Sequence, residues 1–171
     1  MDELLETRMN EETFNIENLD INYNKYLTFA IENESYCLKI EYVREIIGIQ
    51  KITQVPNQLE YIKGVINLRG KIIPTMDIRK RFEKKERAYD DRTCIVVINI
   101  DDLTVGVVVD RVLEVISLNE KQIYAPKQSN VDVKSKYISG IGEVDNGIIM
   151  VLDCEKLIIP EDFDGIGKML E

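Results

Sequence analysis

A chain of 171 residues, 44% apolar and 31% charged, carries enough material to bury one core or two small ones without disulfide staples. The formal net charge of -9 repels phosphate backbones and argues against nucleic acid as the main partner. No stretch approaches the roughly eighteen apolar residues of a membrane span, and the acidic N-terminus lacks the basic and apolar regions of a secretory signal, so a cytoplasmic protein without membrane insertion is expected.

In chain order, residues 1–24 are polar and acidic without sustained periodicity and are expected to form a disordered tail. From Lys25, "KYLTFAI" and "YCLKI" read as strands separated by the turn "ENES". "EYVREII" follows, with Val43, Ile46 and Ile47 at a spacing that predicts a helical turn. "YIKGVINLRGKIIPTMD", residues 61–77, reads as two strands hinged on Arg69-Gly70, and "DIRKRF" as a short helix capped by Asp77. The basic run "RKRFEKKER", residues 79–87, is interrupted by Glu83 and Glu86 and reads as a solvated linker rather than a polyanion site.

The pattern then starts again with "TCIVVINI", the turn Asp101-Asp102, "LTVGVVVD" and "RVLEVI". At a spacing of 76, Tyr61, Ile62 and Gly64 fall on Tyr137, Ile138 and Gly140, and Asp77 falls on Asp153. At a spacing of 69, Val43, Glu45 and Ile46 fall on Val112, Glu114 and Val115. The inserted "NEKQIYAPKQSNVDVKSK" in the second copy is expected to be a long loop. Two copies of about five short strands predict two small β-barrels with a shared buried interface. The first repeat would span 25–88 and the second 89–171, the latter ending in a helical segment.

Histidine is absent, which removes the commonest general base and metal ligand. Cys37, Cys94 and Cys154 are odd in number and far apart, so free thiols are expected rather than a disulfide framework or a zinc site. No cofactor or metal is expected. Asp77 and Asp153 read as helix caps, with a paired-carboxylate acid–base site as the competing possibility. Gly64 and Gly140 read as strand bends or bulges at barrel corners. Arg69 is different, because the second repeat places Asp145 there and follows it with the turn formers Asn146-Gly147. The hairpin can form without the arginine, which is therefore either a solvated turn residue or a presented contact to a partner's carboxylate or carbonyl. Val43, Ile46 and Val115 belong to apolar runs that either pack in the core or line a seam between the barrels able to take an apolar helix face.

"YIKGVINLRGKIIPTMDIRKRF", with "FAIENESYCLKIEYVREII" before it and "VGVVVDRVLEVISL" after it, resembles the CheW family of bacterial chemotaxis adaptors over about Tyr26 to Leu157. The pattern I-x-G-x-x-N-x-R-G-x-x-x-P-x-x-D is matched by Ile62, Gly64, Asn67, Arg69, Gly70, Pro74 and Asp77. The resemblance implies an all-β fold of two intertwined five-stranded SH3-like barrels forming a single domain over 25–158, with no enzymatic activity and no cofactor. It further implies an adaptor, expected without an appended receiver domain or kinase core, that couples the cytoplasmic tips of methyl-accepting chemoreceptors to the histidine kinase CheA. The kinase would be met through its own CheW-like regulatory domain, within membrane-anchored chemoreceptor arrays. Carried over by position, Val43, Glu45, Arg69 and Val115 would be contact residues, joined by Ile46 at the seam, with Gly64 and Asn67 shaping the hairpin that holds Arg69. The alternative is a small β-barrel module, unrelated to chemotaxis, for peptides or polysaccharides.

Overall fold

The two repeats exchange hairpins. The computed structural model describes residues 24–125, 133–145 and 147–166. The expected tail disorder therefore lies, but for Asn24, outside the described residues, as do the middle of the long loop and Asn146. The strands are β1 (Lys25–Ile31), β2 (Glu34–Lys39), β3 (Val43–Gly48), β4 (Ile62–Leu68), β5 (Lys71–Asp77), β6 (Cys94–Ile100), β7 (Leu103–Val109), β8 (Arg111–Ser117), β9 (Ile123–Tyr124), β10 (Ile138–Val144) and β11 (Gly147–Leu152). Helix α1 (Ile78–Arg81) follows β5, and α2 (Cys154–Leu157) follows β11. One sheet runs β3-β6-β7-β5-β4 and the other β8-β1-β2-β11-β10-β9. Each sheet thus holds a β-hairpin contributed by the opposite repeat, joined through the parallel pairs β5–β7 and β11–β2. This is the intertwined two-barrel β fold.

The exchange explains why β1 and β6 are apolar on both faces instead of alternating. Ile95 and Val97 of β6 pack inside the first barrel with Ile66, Ile73 and Val108. Their neighbours Val96 and Ile98 turn the other way, into a core that also takes Leu27, Phe29, Tyr36 and Leu38 from the second sheet. The second barrel has its own interior around Tyr26, Cys37, Leu118, Ile149 and Val151. Each β-branched strand buries both sides, as in a sheet covered twice.

Four sequence expectations change. "EYVREII" is not a helical turn: a single 3-10 turn, Ile40–Tyr42, gives way to β3. Val43, Glu45 and Ile47 are half-buried while Arg44, Ile46 and Gly48 are exposed, a period of two that pairing with β6 enforces. The long loop contains structure, with a 3-10 turn at Glu120–Gln122, strand β9 and a second 3-10 segment at Val133–Tyr137. Because β9 pairs with β10, the second sheet has six strands rather than five.

The basic run, finally, is not a solvated linker throughout. Arg79 is buried, and its Nε and Nη2 donate to the two carboxylate oxygens of Asp110 at 2.7 and 2.6 Å. Its Nη1 reaches Glu32 at 3.2 Å and the Lys85 carbonyl at 3.0 Å. Arg81 lies over the rings of Tyr61 and Tyr137, equivalent residues of the two repeats, at 4.2 and 4.8 Å. Its Nε donates to the carbonyl of Leu157 at 3.1 Å, so one guanidinium ties the two repeats together across the shared interface.

Candidate functional site

The β4–β5 hairpin turns on Arg69 and Gly70, whose φ angles of 53° and 84° are both left-handed, as a type I′ turn requires. Asn67 fixes the turn from within, its Oδ1 accepting from the Gly70 N–H at 2.8 Å. Its carbonyl accepts from Gln50 Nε2 at 3.3 Å, which brings the chain after β3 against the hairpin. Gly64 serves the same closure. At the bulge between Ile62 and Gly64, Thr53 and Val65 exchange two backbone hydrogen bonds of 2.8 Å and join the open edge beside β4 to the chain leaving β3. A Cβ on Gly64 would stand 2.0 Å from the Thr53 carbonyl oxygen, and its φ of 147° disfavours any side chain. Gly64 is buried and shapes the barrel at this bulge.

Across that closed edge, Arg69 reaches Glu45 on β3. One guanidinium nitrogen, Nη2, donates to both carboxylate oxygens at 2.9 and 2.7 Å. The Arg69 side chain is 71% exposed and that of Glu45 27%. Nε and Nη1 make no hydrogen bond among the described residues, so a pre-oriented fork of donors faces outward. Arg69 and Glu45 belong to a concavity of about 210 Å³ at the mouth of the first barrel, where Arg44, Leu68 and Lys71 join them. Arg44 and Lys71 were not legible as site residues in advance. The available signal was the basic character of positions flanking Glu45 and Arg69.

Six of the seven expected contact residues, Val43, Glu45, Ile46, Gly64, Asn67 and Arg69, therefore lie in one sheet, around the two edges that close it. Val115 lies apart, on β8 of the second sheet opposite Leu27. Ile46 and Val115 hold equivalent places on the edge strands β3 and β8 and are both exposed, at 42% and 51%. Val43 is half-buried. None of these three lines the concavity that holds Arg69.

The remaining chemistry-bearing groups are committed elsewhere. Asp77 caps α1, its Oδ1 accepting from the Arg79 N–H at 2.8 Å and its Oδ2 from the Tyr89 hydroxyl at 2.7 Å. Asp153 caps α2 by accepting from the amides of Glu155 and Lys156. Both carboxylates do what an N-cap does. Cys37 and Cys154 are free, and burial pushes both thiols up to about 12, leaving no thiolate near neutral pH. Burial and the bond to Asp77 likewise raise Tyr89.

The sequence matches the family model described as CheW-like domain over residues 25–160. It is 36% identical over 147 residues to the chemotaxis protein CheW of Klebsiella aerogenes, spanning 84% of this chain and 89% of that protein. It is 34% identical over 140 residues to the chemotaxis protein CheW of Bacillus subtilis, spanning 80% and 88%. Among solved structures, the scaffolding protein TtCheW of Thermoanaerobacter tengcongensis superposes with a TM-score of 0.74 at 32% identity, covering 81% of this chain and 94% of that one. The interlocked barrels, the Asn67-braced hairpin and these matches together place the chain in the CheW-like domain family of chemotaxis proteins.

Proposed function

We propose that this chain is a non-enzymatic adaptor that couples the cytoplasmic tips of chemoreceptors to the histidine kinase CheA at the cytoplasmic face of a receptor array. The observation that carries the reading is Arg69: an exposed guanidinium held on a tight hairpin by Asn67 and oriented by Glu45, at a turn whose counterpart in the other repeat has Asp145. A solvated turn residue needs none of that support, whereas a contact residue gains affinity from being pre-oriented. Membership of a chemotaxis family, and the scaffolding role named for the Thermoanaerobacter relative, support the same reading. Family membership also displaces an unrelated peptide or polysaccharide module.

An adaptor acts by linkage. Binding two partners together biases the kinase's conformational equilibrium, and the signal passes as a coupling free energy between the two sites. Inside an array, high effective concentration allows each contact to be individually weak. The direct test is co-sedimentation of CheA with receptor-containing membranes. CheA is expected to be retained when this chain is added and not in its absence; retention independent of the chain would refute the adaptor role.

A further inference from the structure

Alternate residues of the chain leaving β3 turn toward a cavity beside β4 and α1. Thr53 bonds to β4, while its neighbours Ile52 and Gln54 line a concavity of about 400 Å³. Ile62 extends the apolar wall, and so does the ring of Tyr89, fixed by the hydrogen bond from its hydroxyl to Asp77. Two cations enter from different elements, Lys63 of β4 and Lys80 of α1, with side chains only 25% and 20% exposed.

The charges in this cavity do not balance. Lys63 and Lys80 share one carboxylate oxygen, Glu86 Oε1, at 2.8 and 3.4 Å. Lys63 Nζ also lies 5.8 Å from the centre of the Tyr89 ring. The hydrogen bond from Lys63, with the charges of both lysines, holds the Glu86 carboxyl below the usual carboxylate range. Yet the Glu86 side chain is 59% exposed, on an irregular stretch between α1 and β6 whose residues 85–88 are all exposed. Two largely buried ammonium groups thus meet a single carboxylate that can be displaced at little cost, since exposed ion pairs are weak. The rest of the lining limits what could displace it. Glu60 makes no ion pair among the described residues and would repel a second negative charge, which disfavours phosphate esters and dicarboxylates.

We propose that this cavity binds a small organic monocarboxylate with a compact apolar body, whose carboxylate takes the place of Glu86 between Lys63 and Lys80. The apolar body would lie on Ile52, Ile62 and the Tyr89 ring. Gln50, on the same wall, donates to the Asn67 carbonyl at 3.3 Å, so an occupant sits beside a bond that braces the Arg69 hairpin. The proposal stands on this geometry and does not require the adaptor reading.

The probe is hydrocinnamate, titrated into the full chain while methyl and amide NMR shifts are followed, with hydrocinnamamide as its neutral isostere and inorganic phosphate as a competing anion. Saturable shifts of the Ile52 and Ile62 methyls and of the Lys63 amide are expected, with a midpoint of about 1 mM or below. The neutral amide should bind about tenfold more weakly, as should hydrocinnamate in Lys63→Met. Lys80→Met serves as a second variant if Lys63→Met folds poorly. Glu86→Gln removes the internal competitor and should tighten binding about threefold. The proposal is overturned if the shifts do not saturate or fall elsewhere, if the amide binds as well as the acid, or if equimolar phosphate displaces hydrocinnamate. It is also overturned if Glu86→Gln binds no more tightly than the parent.

Discussion

At Arg69 the backbone and the side chain want different things. A left-handed φ costs a residue with a Cβ about 1 kcal/mol, a penalty that asparagine or glycine largely escapes. The exposed pair with Glu45 returns about 0–1 kcal/mol. Arg69→Asn should therefore leave the unfolding free energy within about 1 kcal/mol of the parent, or raise it. A loss well beyond that, measured by chemical denaturation, would make the arginine a structural residue. Gly64 gives the opposite case. Gly64→Ala drives a methyl into the Thr53 carbonyl and should cost about 3 kcal/mol in the same measurement, with no partner present. The contrast between the two positions was legible in the sequence through one comparison: Gly64 recurs as Gly140, and Arg69 does not recur. Glu45 as the partner of Arg69 was not legible, because the pair joins a strand and a hairpin turn 24 residues apart that only barrel closure brings together.

Among elements, the join between α1 and the β7–β8 turn depends on a buried charge pair. Burial alone would raise the Asp110 carboxyl. The hydrogen bonds from Arg79 and the Glu32 amide, with the nearby charge of Arg79, outweigh it and hold Asp110 below the usual aspartate range. A depressed folded-state value means that this stabilisation is fully present above the unfolded value of about 3.9 and is lost as pH falls through the folded one. Asp110→Asn leaves Arg79 buried without its partner and should cost about 3 kcal/mol at neutral pH. The deficit should shrink as pH is lowered below about 4. A variant whose deficit is the same at pH 3 and pH 7 would contradict this account. The pair was hidden in a run that reads as a basic linker, because charge patterning alone does not reveal which arginine turns inward. Strand β3 was misread for a related reason: "EYVREII" fits a period of 3.6 or of 2, and pairing with β6 decides between them.

For the molecule as a whole, exchange of hairpins makes the repeats interdependent. Residues 25–88 hold β1 and β2, whose strand neighbours β8 and β11 belong to the other half. That half expressed alone should show no cooperative unfolding transition, although it contains a complete copy of the repeat. Phe29, fully buried in the shared core, should cost about 3–5 kcal/mol when truncated to alanine and should lower the stability of both barrels in one transition. The duplication was legible from spacing, whereas the strand count missed β9 and the exchange was expected only through the family resemblance, because parallel pairs such as β5–β7 leave no local signature. A pair of interlocked barrels suits the proposed adaptor role, in which two partners are held in fixed relation.

On the proposed reading, Arg69 is kept for contact and not for folding. Calorimetric titration of the parent and of Arg69→Asn with a receptor cytoplasmic fragment and with the CheA regulatory domain tests it most directly. Binding to at least one partner should weaken roughly tenfold or more with the melting temperature unchanged or raised. Unchanged affinity for both partners would contradict it.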